Sequence, residues 1–324
     1  MVGADEVSPR FEQQVAEAPP DRVLRRAGFR FIAATAYLVG VSRLGMDGPA
    51  HWLLAVVFAA IPIVIPPVAR LLSNALPFVL FGAVYHLLRL AGPLVVAHGV
   101  HVAGPYWFDK WAFGVGGLGT RLSMNELFAV HHWPLIDFIT GCAYLSYIYA
   151  VVGFAVFIGI VDRTAAGDRR CRALGWTFLG VNLAGYATYL AYPVAPPWYV
   201  AGHGLGPVEA NAAASPAALL RWDAMLGVPY FQRFYSHASD VFGAMPSMHC
   251  AYPMLLLLFA LELRRPVLVG AIAAFQLLMC FSAVYLQHHY VSDVIAGICY
   301  ATAGYAVARL IAQGPLPDTH RAVE

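Results

Sequence analysis

Long runs of apolar residues are the feature that most constrains the fold of this chain. About eight runs approach the roughly 17–25 residues that a helix needs to cross the hydrocarbon core of a bilayer. Of the 324 residues, 60% are hydrophobic and 12% are charged, whereas soluble domains have about 45–50% and about 25%. Such runs satisfy their backbone hydrogen bonds in lipid as helices, and they lack the alternating pattern of a membrane barrel. The sequence therefore predicts an all-α integral membrane protein, with spans at residues 28–45, 51–69, 74–93, 135–161, 174–193, 248–263, 266–286 and 290–312.

The distribution of Arg and Lys predicts how these spans are oriented. Cytoplasmic loops carry an excess of both residue types. With eight crossings and a cytoplasmic N-terminus, the inner segments hold 14 of the 20 basic residues. Two long connections, at about 94–134 and 194–247, then lie outside the cell. We therefore expect a multi-pass plasma membrane protein with both termini in the cytoplasm and its polar connections on the extracytoplasmic side.

The predicted domain organisation is simple. A polar cytoplasmic tail (1–27) precedes one polytopic catalytic domain (28–313), and a short cytoplasmic tail (314–324) follows. The first residues are polar and acidic, so we expect no removable signal peptide and interpret the first apolar segment as an anchor. Because the formal net charge is only +2, nucleic acid is not an expected partner. The five cysteines lack metal-finger spacing and are predicted to be buried thiols.

Two polar segments stand out beside the apolar ones. A Pro-Ser-Met-His segment at 246–249 opens the sixth predicted span, and Ser-x5-His-His-x3-Asp at 282–293 joins the seventh to the eighth. Asp293 lies four residues after His289, so both side chains are expected on one helix face within hydrogen-bonding reach. A carboxylate on one imidazole nitrogen would make the other nitrogen a better nucleophile or base.

Phosphoryl transfer is the chemistry that this combination favours. Ser247 is a good helix N-cap, and the helix start behind it offers free N–H groups and a positive dipole end to a phosphate. Of two histidines facing such a pocket, one can attack phosphorus while the other protonates the leaving oxygen. The candidate residues are His249, His288, His289 and Asp293.

Other interpretations of the same residues stay open at this point. The Pro-Ser pair could be only a helix cap, and the four candidate residues could instead hold zinc or iron. A haem-binding protein or a transporter is a third possibility, with His86, His98 and His101 as candidate ligands, but no paired ligand spacing supports it. His131, His132 and His237 receive no role.

Four motifs in order resemble the inositol phosphorylceramide synthase (aureobasidin-resistance) branch of the type 2 phosphatidic acid phosphatase superfamily. They are YPVAPPWY at 192–199, LRWD at 220–223 with a following LG, FGAMPSMH at 242–249 and SxxYLxHHYxxD at 282–293. The resemblance implies a helical membrane core in which His289 attacks phosphorus, Asp293 supports it and His249 protonates the leaving group. On the same motifs we expect a substrate-binding role for Ser247, His288, Tyr285, Asp223 and Trp198.

One departure from the superfamily pattern concerns the cation that would stabilise the phosphoryl oxygens. The usual Lys-x6-Arg-Pro element is absent from the sequence, and Ala283 stands where an Arg would follow Ser282. Among the basic residues predicted on the outer side, Arg221 is the first candidate substitute, with a loop salt bridge to Asp223 as its alternative role. The other candidates are Lys110, Arg121 and Arg233.

The resemblance implies phosphatidylinositol as the donor lipid. The acceptor would be the hydroxyl of a lipid or glycolipid, and no metal or other cofactor is expected. The alternative is a lipid phosphate phosphatase, in which water accepts the phosphoryl group. Aromatic and proline residues at 105–108 and 193–199 could shield the intermediate from water, or they could be interfacial anchors.

Overall fold

The computed structural model describes residues 20–43, 48–64, 66–88, 95, 99–117, 119–161, 165–209, 211–236 and 241–312. Over these residues it contains helices and isolated bridges but no strand, which confirms the all-α prediction. The longer helices are α1 (Pro20–Arg43), α2 (Pro49–Val64), α3 (Pro66–Leu88), α6 (Pro134–Val161), α7 (Ala165–Ala191), α11 (Met248–Glu262), α12 (Pro266–Tyr285) and α13 (Val291–Ala312). The shorter helices are α4 (Ala103–Phe113), α5 (Met124–Val130), α8 (Pro197–His203), α9 (Leu219–Leu226) and α10 (Tyr230–Tyr235).

Three of the described helices are long and apolar enough to cross a bilayer, as expected for a membrane protein. They are the Pro134–Gly159 part of α6, together with α12 and α13. Each of the eight predicted spans overlaps one of the longer helices, but the number of crossings stays a prediction. The tail at 314–324 and most of the tail at 1–27 lie outside the described residues.

Backbone contacts divide the chain into two compact units, Met1–Ala75 and Leu76–Glu324. In the first unit, α1 packs against α2, and the Tyr37 hydroxyl lies 2.6 Å from Nδ1 of His51. The second unit contains all four motifs of the resemblance. The functional argument therefore concerns this second unit.

Helix α11 lies at the centre of the second unit. It packs against α6, α7, α12 and α13, and the four successive residues from Cys250 to Pro253, which face all sides of the helix, are buried. A helix that is apolar all round is stable only when other helices surround it. The Pro-Ser-Met-His segment is thus held at the N-terminal end of the most enclosed helix.

Gly297 permits a close approach of α13 to the start of α11. A Cβ at this position would collide with the backbone carbonyl of Ser247, whose N–H donates to the carbonyl of Asp293 at 2.9 Å. Overpacking typically costs about 1–3 kcal/mol, and a backbone atom cannot rotate out of the way as a side chain can. Gly297 therefore sets the distance between the two motif-bearing helices.

We expect Gly297→Ala to lower the thermal unfolding midpoint in detergent and to reduce turnover by about tenfold or more. The added Cβ destabilises the fold by about 1–3 kcal/mol and pushes apart the two helices that position the active-site residues. The matched control is Gly180→Ala in α7, since a Cβ at Gly180 has no atom within 4 Å. Equal stability and turnover in the two variants would contradict this role of Gly297.

Candidate active site

The two polar motifs meet through their histidines. Nδ1 of His249, near the start of α11, lies 3.1 Å from Nε2 of His289, in the loop between α12 and α13. Both residues line one cavity. The structure thus brings together the two histidines for which the sequence suggested complementary roles.

The tautomer of His289 follows from its surroundings. Its Nδ1 lies 2.8 Å from the carbonyl oxygen of Ala244. Because a carbonyl only accepts hydrogen bonds, Nδ1 carries the proton in the neutral ring. The lone pair is then on Nε2, the nitrogen that faces His249. His289 is therefore oriented to act as a nucleophile through Nε2.

Asp293 supports His289 less directly than the sequence suggested. Its Oδ2 is 3.8 Å from Nδ1 of His289, which is longer than a hydrogen bond. The same oxygen accepts a 2.8 Å hydrogen bond from the backbone N–H of Tyr290. Asp293 is the third residue of α13, and an acidic residue there commonly bonds back to the N-cap. The Ala244 carbonyl holds the tautomer, while Asp293 adds a nearby carboxylate and caps the helix.

Two tyrosines of α6 surround His249. The Tyr144 hydroxyl is 3.2 Å from its Nδ1, and the Tyr144 ring stacks on the imidazole with centroids 4.1 Å apart. The Tyr147 ring contacts the same imidazole at 4.3 Å. These contacts restrict the rotation of His249 and keep Nδ1 directed at His289.

The imidazole of His288 has a different partner from the imidazole of His289. Its Nε2 lies 3.2 Å from the carbonyl oxygen of Pro216, so this nitrogen donates to a backbone group. Its ring lies 5.0 Å from both Tyr144 and Tyr235. Burial, and secondarily the proximity of His289, lower the pKa of His288 to about 3. His288 is therefore neutral near pH 7. It forms part of the cavity wall but offers a bound phosphate no positive charge.

Ser247 occupies the predicted N-cap position but does not cap with its side chain. Its backbone is extended, and its Oγ makes no capping hydrogen bond to α11. The hydroxyl is buried and has no hydrogen-bond partner among the described residues. The Ser247 side chain thus leaves the first N–H groups of α11 uncapped. Ser247 itself is fully buried and does not line the cavity that contains the two histidines, so a substrate contact by its hydroxyl stays a prediction.

Asn125 and Gln287 hold in place the loop that carries His288 and His289. No role for either Asn125 or Gln287 was predicted from the sequence. Asn125 Nδ2 donates to the carbonyls of Val284 and His289, at 2.9 and 3.1 Å. Gln287 Nε2 donates to the Asn125 carbonyl at 2.8 Å. No local sequence pattern could have revealed bonds between residues so far apart along the chain.

Asp109 was also missed as a site residue. This fully buried carboxylate on α4 accepts a 2.9 Å hydrogen bond from the backbone N–H of Ser292. Burial raises the pKa of Asp109. Two carboxylates, Asp109 and Asp293, thus accept hydrogen bonds at the start of α13, where the positive end of the helix dipole favours them.

The structure places none of the predicted cations on the cavity wall. Lys110 Nζ forms an ion pair with Glu126 at 2.8 Å. Arg121 Nη2 donates to the carbonyl of Trp111 at 2.7 Å, and Arg233 is exposed on α10. Within the described residues, the cavity wall carries no Lys or Arg.

Arg221 pairs with a different carboxylate from the one expected. Its Nε donates to Asp137 Oδ1 at 2.8 Å, and its guanidinium lies 5.4 Å from the Tyr285 ring centroid. Asp223 instead accepts hydrogen bonds from the backbone N–H groups of Phe231 and Gln232. The alternative role of Arg221, a salt bridge to Asp223, is not found, because Asp223 binds the backbone at the start of α10.

Tyr285 has a structural partner as well. Its hydroxyl accepts a 3.1 Å hydrogen bond from the backbone N–H of Trp133. This contact ties the end of α12 to the start of α6. Tyr285, Asp223 and Arg221 therefore form a supporting layer that does not line the cavity, and a direct substrate contact by any of them stays a prediction.

The cavity that contains both histidines has a volume of about 260 Å³. We call it the main cavity. Aromatic side chains dominate its wall, among them Tyr85, Tyr144, Tyr186, Tyr189 and Trp198. Of the two aromatic segments noted in the sequence, the one at 193–199 contributes Pro196 and Trp198, whereas no residue of 105–108 lines the main cavity. Exposed Trp107 and Phe108 on α4 match an interfacial role better.

The described residues contain no group of three or more His, Cys, Asp or Glu side chains placed to hold a metal ion. The zinc or iron alternative thus finds no geometric support there, and metal independence stays a prediction. His101 is exposed and stacks on Tyr192 at 4.0 Å. His98 and His237 lie outside the described residues, as does the side chain of His86.

Comparison with known proteins shows the family to which the chain belongs. The model of the PAP2 superfamily, the type 2 phosphatidic acid phosphatases, matches residues 116–307, more than half of the chain. A phosphoinositol dihydroceramide synthase from Bacteroides thetaiotaomicron is 32% identical over 85% of this chain and 87% of its own length. The comparison with solved structures found no match.

Fungal relatives match a shorter region. The catalytic subunit of inositol phosphorylceramide synthase from Schizosaccharomyces pombe is 35% identical over 41% of this chain and 31% of its own length. The inositol phosphorylceramide synthase of Candida albicans is 36% identical over 39% and 26%. These matches confirm the branch that the motifs resembled. The chain belongs to the PAP2 superfamily and is an enzyme that transfers or hydrolyses phosphate groups.

Proposed function

We propose that this protein transfers phosphoinositol from phosphatidylinositol to the primary hydroxyl of a ceramide-type lipid. The names of the bacterial and fungal relatives, a phosphoinositol dihydroceramide synthase and an inositol phosphorylceramide synthase, support this transferred group and this class of acceptor. The donor is the one that the motif resemblance implies. The observation that carries the proposal is the 3.1 Å contact between His249 and His289 on the wall of an aromatic cavity. Such a pair supplies a nucleophile and a proton donor without a metal ion.

In the first step, Nε2 of His289 attacks the phosphorus of phosphatidylinositol. The bond from phosphorus to the diacylglycerol oxygen breaks, and His249, as an imidazolium in the donor complex, donates a proton to that oxygen and becomes neutral. Diacylglycerol leaves, and the phosphoinositol group stays on His289. The phosphoryl group must enter between the two imidazoles, so their direct contact describes the enzyme before substrate binds.

In the second step, the hydroxyl oxygen of the acceptor attacks the same phosphorus. His249 now accepts the hydroxyl proton, and the bond between Nε2 of His289 and phosphorus breaks. The product is an inositol phosphoryl lipid, and both histidines return to their starting protonation states. The Ala244 carbonyl, which lies 2.8 Å from Nδ1 of His289, stabilises the imidazolium character that develops in the first step and is lost in the second.

The start of α11 is our proposed phosphate site. A phosphodiester carries a single negative charge, which the uncapped N–H groups and the helix dipole can stabilise. A contact with the buried Ser247 hydroxyl requires a rearrangement of the site. The ion pairs at Lys110 and Arg221 leave these two cations neutralised in the described arrangement. We keep a direct phosphate contact by Lys110, Arg221 or Arg233 as a prediction that requires a rearrangement of the site.

The topology belongs to the same proposal. Eight crossings with cytoplasmic termini would place the start of α11 and the loop before α13 on the extracytoplasmic side of a plasma membrane. The single catalytic domain at 28–313 is proposed on the same grounds. The pattern of basic residues supports this arrangement.

Trp198 offers a way to test transfer against hydrolysis. It lines the main cavity beside the histidines, and its backbone N–H donates to the Gln287 carbonyl at 3.0 Å. Loss of the indole would admit water to the phosphohistidine while leaving this backbone bond intact. We expect Trp198→Ala to raise the ratio of hydrolysis to transfer by about fivefold or more, because water exclusion is what protects the intermediate.

The assay follows labelled phosphatidylinositol in reconstituted protein with and without dihydroceramide, and separates inositol phosphate from the new lipid. Trp107→Ala is the matched control, because that exposed indole does not line the main cavity. If wild type releases inositol phosphate at the same rate with every lipid alcohol and forms no lipid product, water is the acceptor, the enzyme is a hydrolase and the transferase proposal is wrong.

A further inference from the structure

A second, smaller cavity adjoins the main cavity at His249. It has a volume of about 130 Å³, and we call it the side cavity. The two cavities share six lining residues, which are Tyr144, Tyr147, Ile148, Phe234, Tyr235 and His249. His249 is thus accessible from both cavities, whereas His289 lines only the main cavity.

The wall of the side cavity is formed by one face of α6 and by the short helix α10. Residues found only in this wall include Leu145 and Tyr149 of α6 and Tyr230 of α10. All are apolar or aromatic, and no Asp, Glu, Lys or Arg lines the side cavity among the described residues. Such a wall suits a hydrocarbon chain better than an inositol ring or a phosphate.

The side cavity also lies beside an exposed apolar surface of α6. Ile148 is part of its wall, and Val152 and Val156 follow at intervals of four residues along α6. All three side chains are exposed in a helix that is long and apolar enough to span the bilayer. Residues at this spacing form one stripe on a helix. The stripe provides an apolar path from the bilayer to the side cavity.

The size of the side cavity limits what can enter it. Cavities that enclose a drug-sized ligand measure about 300–1,000 Å³, so a two-chain lipid cannot fit into 130 Å³. Only the head of a lipid and the first carbons of its chains can enter while the rest stays in the bilayer. A simple lipid alcohol has a head small enough to do this, whereas phosphatidylinositol does not.

We propose that the side cavity receives the hydroxyl end of the acceptor lipid, which enters laterally from the bilayer along α6. This assignment rests on the proposed transferase function. In the second step His249 must contact the acceptor hydroxyl to take its proton, and the side cavity reaches His249 without passing His289. The donor head group occupies the main cavity, so the two lipids approach the same imidazole from different sides.

The test fills the side cavity with a larger side chain. It then measures acceptor binding and donor hydrolysis in separate assays. Leu145→Trp adds bulk to a wall residue of the side cavity that does not line the main cavity. We expect the KM for dihydroceramide to rise by about fivefold or more, while release of inositol phosphate without acceptor changes by less than about twofold, because the added bulk opposes acceptor binding alone. Leu277→Trp on α12 is the matched control, since that leucine is exposed and lines neither cavity.

A second variant covers the case in which Leu145→Trp fails to fold. Tyr230→Ala removes a rim side chain of the side cavity without adding bulk, and the same selective rise in the KM for the acceptor is expected. If folded Leu145→Trp or Tyr230→Ala keeps the wild-type KM for dihydroceramide, or loses both reactions in equal proportion, the side cavity is not the acceptor site. If wild type forms no lipid product at all, the transferase proposal itself is wrong. The two failures are therefore distinguishable.

Discussion

His289→Ala is expected to reduce turnover of phosphatidylinositol by at least about a thousandfold, because it removes the atom that attacks phosphorus in the first step and carries the phosphoinositol group into the second. The protein should still fold. The His289 backbone carbonyl remains available to Asn125, whose Nδ2 also binds the Val284 carbonyl. The measurement is consumption of labelled donor by purified protein, together with size-exclusion and thermal unfolding profiles in detergent.

The matched control for this prediction is His101→Ala. His101 is exposed and its ring stacks on Tyr192, away from the main cavity. We expect this variant to keep the turnover of wild type. Substantial activity in His289→Ala would show that another group attacks phosphorus.

His249→Ala is expected to lower the rate with phosphatidylinositol by about 10²–10⁴-fold, the usual contribution of a positioned general acid. The decrease in rate should be smaller with a donor whose leaving group needs no protonation. A phosphoinositol ester of nitrophenol provides such a donor, because its leaving group departs as a stable anion. His249→Ala should therefore form the intermediate from this ester at a rate closer to that of wild type.

Comparison of the two donors separates the chemical role of His249 from a structural role. His249 also packs between Tyr144 and Tyr147, so its removal could disturb the main cavity. A disturbed cavity would slow both donors equally, whereas loss of a proton donor slows only the natural lipid. Tyr147→Phe is a matched control, since it keeps the ring contact with His249. Equal losses with the two donors would contradict the role of general acid.

Short-range spacing and apolar runs allowed much of the site to be predicted. The spacing between His289 and Asp293 predicted that the two side chains lie close together, and they are 3.8 Å apart. The expected hydrogen bond on a shared helix face is wrong, because His289 lies in the loop before α13. The start of an apolar run located Ser247 at the N-cap of α11. In each case the relevant distance is set by a single helix or its first turn, which is what sequence periodicity describes.

Long-range partners could not be predicted from this one sequence. The Ala244 carbonyl holds the His289 ring, and a backbone group leaves no trace in residue type. Arg221 bonds to Asp137, which is 84 positions away, whereas Asp223 is two positions away and bonds elsewhere. Helix packing decides these pairings. Gly141 on α6 illustrates this, because a Cβ there would collide with the Trp222 indole of α9.

The covalent intermediate is the central claim, and trapping it is the most direct test. Purified enzyme would be mixed with phosphatidylinositol labelled in its inositol ring, without acceptor, and quenched at neutral pH to preserve the acid-labile nitrogen to phosphorus bond. Proteolysis and mass spectrometry would then locate the label. We expect phosphoinositol on His289, lost when dihydroceramide is added and recovered as lipid product. Turnover without any labelled histidine, or label on a residue other than His289, would contradict the mechanism.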